Sequence, residues 1–332
     1  MPSAASGTPV LVTGAAGFIG MHVCRGLLDR GDIVVALDNL NDYYDPQLKR
    51  DRLAQLESSA NFTFHQQDIV DHAGLQRRVA QSGAKRVVHL AAQAGVRYSI
   101  TNPLAYVQAN VVGFANMIEA CRHEGIAHLV YASSSSVYGT NNKLPFSESD
   151  RTDQPASVYA VTKKSNELMA QSYAQLFGLP STGLRFFTVY GPWGRPDMAY
   201  YSFARAIVAG TPIPVFNEGR MARDFTYIAD AVQAVLRVLD APPQSGTQLS
   251  APARVYNVGN HRPVALLEFI ATLERLLGRT AVKHYQPMQH GDMVETYADI
   301  AALDAAVGFH PDTPLEDGLA GFVAWFRAYH KL

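Results

Sequence analysis

Three glycines spaced three residues apart, Gly14, Gly17 and Gly20, lie between a short apolar run and an amphipathic segment. The apolar run at residues 9–12 predicts a buried strand, and the amphipathic segment after it predicts the start of a helix. At such a turn the missing side chains let the backbone approach a pyrophosphate, whose charge the helix N-terminus attracts. The pattern therefore predicts a dinucleotide-binding unit. The cofactor contacts expected at this turn are Gly14, Gly17, Phe18, Ile19 and Gly20.

An acidic residue follows the second apolar run of the chain. Residues 33–37 read as a strand that ends in Asp38, eighteen residues after Gly20. A carboxylate at this distance suits the ribose hydroxyls of NAD and repels the additional phosphate of NADP. No arginine follows Asp38 directly, so the sequence favours NAD as the cofactor, with Asp38 and Asn39 among its contacts.

The segment Tyr159-x-x-x-Lys163 is the candidate for acid–base chemistry. A helix predicted from Ser157 to about Phe177 places the two side chains one turn apart on the same face. A phenol is a weak acid, but a cation held near it stabilises the phenolate and allows it to act as a base. Upstream lies the serine run of residues 133–136. Together with the glycine turn, these residues predict an enzyme that oxidises a hydroxyl group.

Strand and helix signals alternate through the first half of the chain, which predicts an α/β fold. Alternation of this kind indicates a parallel, doubly wound sheet of the Rossmann type. From about Pro192 the pattern changes to shorter elements, so we expect a dinucleotide-binding domain at residues 1–190 and a smaller substrate-binding lobe at residues 191–332, with some segments returning to the first domain. Ligands bind at the carboxyl ends of parallel strands. Residues expected just beyond such ends include Leu90, Ala91, Ala92, the serine run and Thr188.

Composition excludes several classes of function. A net charge of −1 and a pI near 6.8 provide no general attraction to nucleic acid or to an anionic membrane, and we expect neither as a partner. The eleven histidines show no metal-ligand spacing, so no metal is expected. Cys24 and Cys121 lie in apolar helical patterns and offer no disulfide framework, which indicates a cytoplasmic protein.

Over nearly its whole length the chain resembles extended short-chain dehydrogenases/reductases. Within that family it is most similar to the UDP-glucuronate 4-epimerases. The similarity lies in AAQAGVRYS at 91–99, GPWGRPDM at 191–198, RDFTY at 223–227 and GDMVETYAD at 291–299. The resemblance implies interconversion of UDP-glucuronate and UDP-galacturonate through a 4-keto sugar and bound NAD.

The family mechanism implies roles for several residues. Tyr159 would take the proton of the sugar 4-hydroxyl, Lys163 would hold the nicotinamide ribose and favour the phenolate, and Ser134 or Ser136 would assist the tyrosine. On the cofactor side, Asp68 and Ile69 would flank the adenine and Asn110 would support the cofactor. A polar Asn110 inside an apolar helix also fits a simple packing role.

The same resemblance implies a set of substrate contacts. A 4-keto glucuronate loses carbon dioxide readily, and hydroxyl groups could hold its carboxylate without adding negative charge. Arg223 matches the arginine that pairs with the UDP diphosphate, where its fork geometry suits phosphate oxygens. Thr296 replaces a bulky tyrosine of UDP-galactose 4-epimerases and leaves room for a carboxylate. The expected substrate contacts are Ser134, Ser135, Ser136, Arg185, Thr188, Arg195, Val215, Phe216, Arg223, Asp292 and Thr296.

Several alternatives remain open from the sequence. Related dehydratases and UDP-glucuronate decarboxylases carry an acidic residue before Val-Tyr-Gly, whereas residues 133–136 are all serine here. That difference argues against both reactions, but C5 epimerisation, UDP-glucose/UDP-galactose epimerisation and a non-catalytic NAD-binding role are not excluded. The two longest predicted helices, at residues 103–124 and 157–177, are the family's dimer helices, so we expect a homodimer.

Overall fold

The computed structural model describes residues 7–244, 251–288 and 293–332. These residues form two compact units that interleave along the chain. The first contains the residues up to Asn141, then Arg151–Phe186 and Val232–Tyr256. The second contains Asn142–Asp150, Phe187–Ala231 and the residues from Asn257 onward.

The strands and helices of the described residues follow each other closely along the chain. The strands are β1 (Val10–Thr13), β2 (Val34–Asp38), β3 (Phe62–Gln66), β4 (Arg86–His89), β5 (His128–Ser134), β6 (Ser181–Phe186), β7 (Thr188–Tyr190), β8 (Ile213–Phe216), β9 (Ala222–Tyr227), β10 (Ala253–Val258), β11 (Pro263–Ala265), β12 (Lys283–Gln286) and β13 (Glu295–Thr296). The α-helices are α1 (Phe18–Asp29), α2 (Pro46–Ala54), α3 (His72–Ser82), α4 (Tyr98–Thr101), α5 (Pro103–Tyr106), α6 (Gly113–His123), α7 (Val158–Phe177), α8 (Ala199–Ala209), α9 (Ile228–Leu239), α10 (Leu266–Leu277), α11 (Ala301–Val307) and α12 (Leu315–His330).

The sheet of the first unit has the strand order β10-β6-β5-β4-β1-β2-β3. The pairs from β3 to β6 are parallel, which confirms the predicted α/β class with a parallel sheet. All four residues of β1 are buried, as expected for a central strand covered on both faces. Because the strands are parallel, the segments that follow β1, β2, β4 and β5 leave the sheet at the same edge.

The helix that carries Tyr159 begins and ends where the sequence predicts. The Ser157 hydroxyl accepts a hydrogen bond from the backbone N–H of Ala160 at 3.1 Å, an N-cap that satisfies one of the free amides of the first turn. The helix ends at Gly178, whose φ of +68° lies in the left-handed region that favours glycine. Local capping therefore determines α7.

One predicted boundary was wrong. The serine run was expected beyond its strand, but β5 continues through Ser134 because Ser133 and Ser134 pair with Arg185 and Phe186 of β6. The helix expected over residues 103–124 is helical without a break from 103 to 123, but its middle, Val107–Val112, is a π-helix between α5 and α6. A π-turn inside a helix often marks a functional site, and Asn110 lies within this one.

The second unit contains two small sheets and a large aromatic core. One sheet has the order β11-β9-β13 with β7 also paired to β9, and the other joins β12 to β8. Thr188 lies two residues beyond the end of β6, as expected, and begins β7, which pairs in parallel with β9. The stacked rings of Phe225 and Phe269 lie 4.5 Å apart between their centroids in this core. Across the described ranges, no helix has the length and apolarity needed to cross a membrane.

Candidate active site

The glycine turn packs so closely that side chains would not fit. Gly14 has a φ of +71°, and a Cβ built on it would lie 2.7 Å from the backbone nitrogen of Ala91. A Cβ on Gly20 would overlap the carbonyl oxygen of Gly14, and one on Gly17 would lie 2.9 Å from the same oxygen. No side chain caps the first turn of α1, so its amides are left to face a ligand.

Two apolar residues, Phe18 and Ile19, are also predicted to contact the cofactor at this turn. Phe18 is buried, at 4% exposure, and its side chain belongs to the core. Ile19 is half-buried. Both lie in the first turn of α1. A cofactor contact by Phe18 would therefore use its backbone amide rather than its ring.

Asp38 lies at the carboxyl end of β2, beside the glycine turn. Its Oδ2 accepts a hydrogen bond from the backbone N–H of Ala16 at 3.1 Å, and its Oδ1 accepts one from Leu40 at 2.8 Å. Burial raises the pKa of Asp38, while the nearby Lys49 acts in the opposite direction. The next predicted contacts also meet here, because Asn39 Nδ2 donates to Asp68 Oδ2 at 3.0 Å.

The segment after β4 is held against Thr13 of β1 by two hydrogen bonds. The backbone N–H groups of Leu90 and Ala91 donate to the carbonyl and the hydroxyl of Thr13, at 3.1 and 3.2 Å. Ala92 is half-buried in the same segment, and Ile69, after β3, is buried. The predicted residues Leu90, Ala91 and Ala92 are thus fixed directly beside the glycine turn.

Asn110 finds its partners within the protein. Its Oδ1 accepts from the backbone N–H of Gln93 at 2.8 Å, and its Nδ2 donates to the Gln93 carbonyl at 2.9 Å and to the Thr162 hydroxyl at 3.0 Å. Its own carbonyl accepts from Asn166 at 2.6 Å. Asn110 therefore joins the segment after β4 to helix α7. The geometry favours a positioning role over a direct cofactor contact.

Lys163 is a buried cation whose partner is a backbone group. The side chain is 4% exposed, and its Nζ donates to the carbonyl oxygen of Ala132 at 2.9 Å. Burial lowers the pKa of Lys163 to about 8. Its charge in turn contributes, after burial, to lowering the pKa of His89 to about 3, so that imidazole is neutral near pH 7. Tyr159, one turn earlier on α7, is half-buried.

The two serines predicted to assist the tyrosine contact each other. Ser134 Oγ and Ser136 Oγ lie 2.6 Å apart, and the backbone N–H of Ser136 donates to Ser134 Oγ at 3.2 Å. Ser135 begins the short 3-10 helix that follows β5. The pair forms one hydrogen-bonded unit, so a substitution at either serine alters both. This coupling explains why spacing alone did not select between them.

Arg185 is held by partners within the first unit, and this geometry does not favour its predicted substrate role. Its Nε and Nη2 each donate to a different oxygen of Glu167 at 2.8 Å, and Nη1 donates to the Tyr138 hydroxyl at 3.0 Å. Only 3% of the residue is exposed. The bidentate pair and the burial make Arg185 a structural residue of the first unit. The sequence offered no signal for this, because Glu167 is eighteen positions away.

Two predicted substrate residues of the second unit lie side by side. Thr296 of β13 is the register partner of Arg223 in β9. The Arg223 guanidinium donates to the carbonyl oxygens of Ala222 at 2.8 Å and Val294 at 3.2 Å. This pairing aligns the RDFTY and VETY segments.

The remaining substrate predictions of this unit differ in burial and in the partners of their side chains. Val215 is fully buried in the hydrophobic core, so its side chain serves packing, whereas Phe216 and Thr188 are half-buried. Arg195 donates to both carboxylate oxygens of Asp197, at 3.0 and 2.5 Å, which competes with a phosphate or carboxylate ligand. Asp292 lies outside the described residues.

Sequence reasoning missed one residue at the glycine turn. Arg52 of α2 is fully buried, and its Nη1 donates to the carbonyl oxygen of Ala16 at 3.0 Å and to the Tyr44 hydroxyl at 2.6 Å. The segment of α2 is rich in charged residues and reads as a solvent-exposed helix, so its sequence carried no signal for this contact.

Comparison with known proteins agrees with this geometry. The sequence profile of the NAD dependent epimerase/dehydratase family matches residues 10–259. A probable UDP-glucuronate 4-epimerase of Rhizobium meliloti is 47% identical, over 97% of this chain and 97% of that protein. UDP-glucuronate 4-epimerase 3 of Arabidopsis thaliana is 49% identical, over 98% of this chain and 78% of that protein.

Solved structures give the same assignment. The UDP-glucuronic acid 4-epimerase from Bacillus cereus, in complex with UDP-glucuronic acid and NAD, matches with a TM-score of 0.88 and 32% identity, over 97% of this chain and 99% of that chain. The chain belongs to the NAD dependent epimerase/dehydratase family. The predicted Rossmann-type fold and the predicted class of NAD-dependent enzyme are thereby confirmed.

Proposed function

We propose that this protein is a UDP-glucuronate 4-epimerase that uses bound NAD and interconverts UDP-glucuronate and UDP-galacturonate. The observation that carries the chemistry is the buried cation of Lys163, four residues after Tyr159 on one helix face. The substrate is supported by the relatives that are named UDP-glucuronate 4-epimerases. The absence of an acidic residue at positions 133–136 supports epimerisation over dehydration or decarboxylation.

The residues of the glycine turn fit NAD. A Cβ at Gly14, Gly17 or Gly20 would collide with backbone, so the glycines allow the tight turn from β1 into α1. The first turn of α1 has no side-chain cap, and its amides suit a pyrophosphate. Asp38 at the end of β2 would accept hydrogen bonds from the ribose hydroxyls. Asn39 and Asp68 would lie against the adenosine end of the cofactor. NAD held by these residues would supply a reversible hydride acceptor for the C4 hydrogen of the sugar.

Tyr159 and Lys163 would move the proton. A phenolate at Tyr159 accepts the proton of the sugar 4-hydroxyl and gives it back when the alcohol is restored. Lys163 favours that phenolate because its charge is poorly solvated and, among the described residues, is not neutralised by a carboxylate. Ser134 and Ser136 would complete the path, since their hydroxyls already share a hydrogen bond.

The substrate carboxylate would be held by hydroxyl groups. The sugar oxidised at C4 is a β-keto acid, so the protein must keep the carboxylate away from the geometry that releases carbon dioxide. We propose Ser134, Ser135 and Ser136 for this role, with Thr188 as an alternative. In the second unit, Arg223 beside Thr296 is proposed to bind the diphosphate end, together with Phe216 and Asp292.

We retain two further proposals about the protein as a whole. A homodimer is supported by large exposed apolar residues on the helices expected to pair, namely Leu104, Leu168 and Leu176, at 74%, 59% and 68% exposure. A cytoplasmic location is supported by Cys24 and Cys121, which are buried free thiols.

Proton NMR of the purified protein with UDP-glucuronate and NAD in deuterated water tests the function. We expect signals of UDP-galacturonate in which the C5 proton is retained. Deuterium at C5 with an iduronate-type product would assign C5 epimerisation instead, and loss of the carboxylate as a UDP-pentose would assign decarboxylation. Turnover of UDP-glucose in place of UDP-glucuronate would support the proposed mechanism but would show that the substrate carries no carboxylate.

The serine pair provides a sharper test of the mechanism. Ser134→Ala and Ser136→Ala should each lower kcat by about tenfold or more, because the contribution of a positioned proton-transfer group is commonly this large. The doubly substituted protein should lose little beyond the worse single variant, since the two hydroxyls act as one unit. Fully additive losses would show that the two serines act independently.

A further inference from the structure

Four tyrosine rings form a continuous row in the first unit. The ring of Tyr43 lies 4.9 Å from that of Tyr98 between centroids, Tyr98 lies 6.1 Å from Tyr106, and Tyr106 lies 5.9 Å from Tyr159. These separations fall within the range of attractive aromatic pairs. The row runs from the segment after β2 to the proposed acid–base residue. Nothing in the proposed reaction requires the first two rings.

Strand order explains where Tyr43 and Tyr98 meet. Strand β1 lies between β2 and β4, and all three are parallel. The segments after β2 and β4 therefore flank the glycine turn that follows β1. Strands two positions apart are separated by about 10 Å, a gap that two tyrosine side chains can span. The pair thus joins the two segments that flank the glycine turn.

Each side of this contact is anchored to the cofactor site. Next to Tyr43, the Tyr44 hydroxyl accepts from Arg52, which also donates to the carbonyl oxygen of Ala16 in the glycine turn. On the other side, the hydroxyl of the fully buried Tyr106 donates to the carbonyl oxygens of Ala94 and Gly95, at 2.9 and 2.5 Å. The rings therefore meet between two segments that are themselves held in place.

The contact between the two rings lies near the surface of the first unit. Tyr98 is 36% exposed and Tyr43 is half-buried. The Tyr98 hydroxyl accepts a hydrogen bond from Asn102 of its own segment at 2.8 Å, and the Tyr98 ring packs against that of Tyr43. Removal of either ring therefore removes this aromatic contact between the two segments.

We propose that Tyr43 and Tyr98 form a clasp that retains the bound dinucleotide. The inference rests on the proposed use of NAD, but it concerns retention of the cofactor rather than the reaction. With the rings in contact, a dinucleotide lying on the glycine turn would be enclosed between the turn and the pair. Release would require the two segments to separate. An enzyme that reuses one NAD in every cycle benefits from such slow release.

The release rate of NAD from the purified holoenzyme tests the clasp. Protein loaded with NAD is passed through a desalting column, diluted, and assayed over time for the NAD that remains bound. Tyr98→Ala and Tyr43→Ala should each release NAD about tenfold faster than the unsubstituted protein, the size expected when one aromatic contact is lost. Tyr98→Phe and Tyr43→Phe keep the rings and should release NAD at nearly the original rate.

Two controls separate the clasp from a general loss of structure. Because each alanine variant removes the same contact, the double variant should release NAD no faster than the faster single variant. Tyr285→Ala removes an exposed tyrosine of the second unit, at 52% exposure, and should leave the release rate unchanged. Thermal unfolding of every variant verifies that the fold is retained.

Unchanged NAD release in Tyr98→Ala and Tyr43→Ala would overturn the clasp and leave the proposed function intact. Faster release in the phenylalanine variants as well would assign the effect to the hydroxyl groups and would also overturn it. If NAD is retained and released as expected but no UDP-sugar is turned over, the clasp stands and the proposed substrate fails. A protein that never binds NAD would reject both.

Discussion

Lys163 and Arg185 are both buried cations of the first unit, at 4% and 3% exposure, yet their hydrogen-bond acceptors differ in charge. Lys163 donates to a single backbone carbonyl, that of Ala132. Arg185 faces the carboxylate of Glu167, which it binds through two nitrogens, and the hydroxyl of Tyr138. The two sites are close in sequence, because Lys163 and Glu167 lie one turn apart on α7.

The pKa shifts follow from this difference. Burial lowers the pKa of Lys163 to about 8, because a poorly solvated charge is costly when no anion compensates it. Burial also acts to lower the pKa of Arg185, but the hydrogen bonds that Arg185 donates to Glu167 and the attraction of that carboxylate outweigh burial, and the pKa is raised. An uncompensated charge remains available to act on a neighbouring group, whereas a compensated one contributes mainly to structure. The sequence predicted a site role for both residues, with a structural role for Arg185 equally open.

The largest expected effect is on catalysis at Lys163. Lys163→Met should lower kcat by about 10³-fold, because the phenolate of Tyr159 loses the charge that favours it. The matched control is Lys164→Met, which removes a half-exposed neighbouring cation that pairs with Glu167 at 3.2 Å. Steady-state kinetics at saturating NAD measure both. Equal losses in the two variants would show that position 163 has no special role.

Stability should respond most strongly at Arg185. Arg185→Met removes the bidentate, buried partner of Glu167 and leaves that carboxylate to Lys164 and Ser133, which costs about 3 to 4 kcal/mol of unfolding free energy. Chemical denaturation measures the loss. The double variant Arg185→Met/Glu167→Leu should recover much of it, since neither charge is then left alone. A double variant as unstable as the single one would mean that the pair is not the source of the effect.

The stability of the folded protein should depend on pH through the buried charge of Lys163. Its pKa is about 8 when folded and 10.5 in the ordinary state, so above pH 8 the unfolded chain binds more protons. The burial cost is therefore fully present below pH 8 and is relieved as the pH rises toward 10.5. Lys163→Met should be more stable than the parent by about 2 to 3 kcal/mol at pH 7.

That advantage should shrink between pH 8 and 10.5. Denaturation of both proteins, freed of NAD so that ligand binding does not contribute, provides the measurement. A stability difference that stays constant over this range would contradict the lowered pKa of Lys163.

The smallest expected effect is a loss of stability when the hydrogen bond from Ser133 of β5 to Glu167 is removed. Ser133 Oγ donates to Glu167 Oε1 at 2.7 Å, and Ser133→Ala should cost about 1 kcal/mol of stability, the usual net value of one hydrogen bond. The variant should leave kcat nearly unchanged, unlike Ser134→Ala one position later. A large loss of kcat in Ser133→Ala would show that Ser133 also takes part in the reaction.

Most of the first unit could be predicted because its signals are local. The strand before Gly14, the helix from Phe18 and the capped helix over residues 158–177 depend on apolar periodicity, glycine and a capping serine. The π-turn around Asn110 could not be predicted, since the hydrogen bonds of that side chain go to Gln93 and Thr162. Such partners become neighbours only when the segment after β4 and α7 come together.

The sequence by itself determined the dinucleotide-type turn, the Tyr159–Lys163 helix and the α/β class, because each is specified by residues close together in the chain. Tertiary structure alone decided which charges are compensated. Glu167 neutralises Arg185 and not Lys163, because β6 lies beside β5 and brings Arg185 against the carboxylate. Coulomb and desolvation energies depend on separation and burial in space. Neither quantity can be read from positions along the chain.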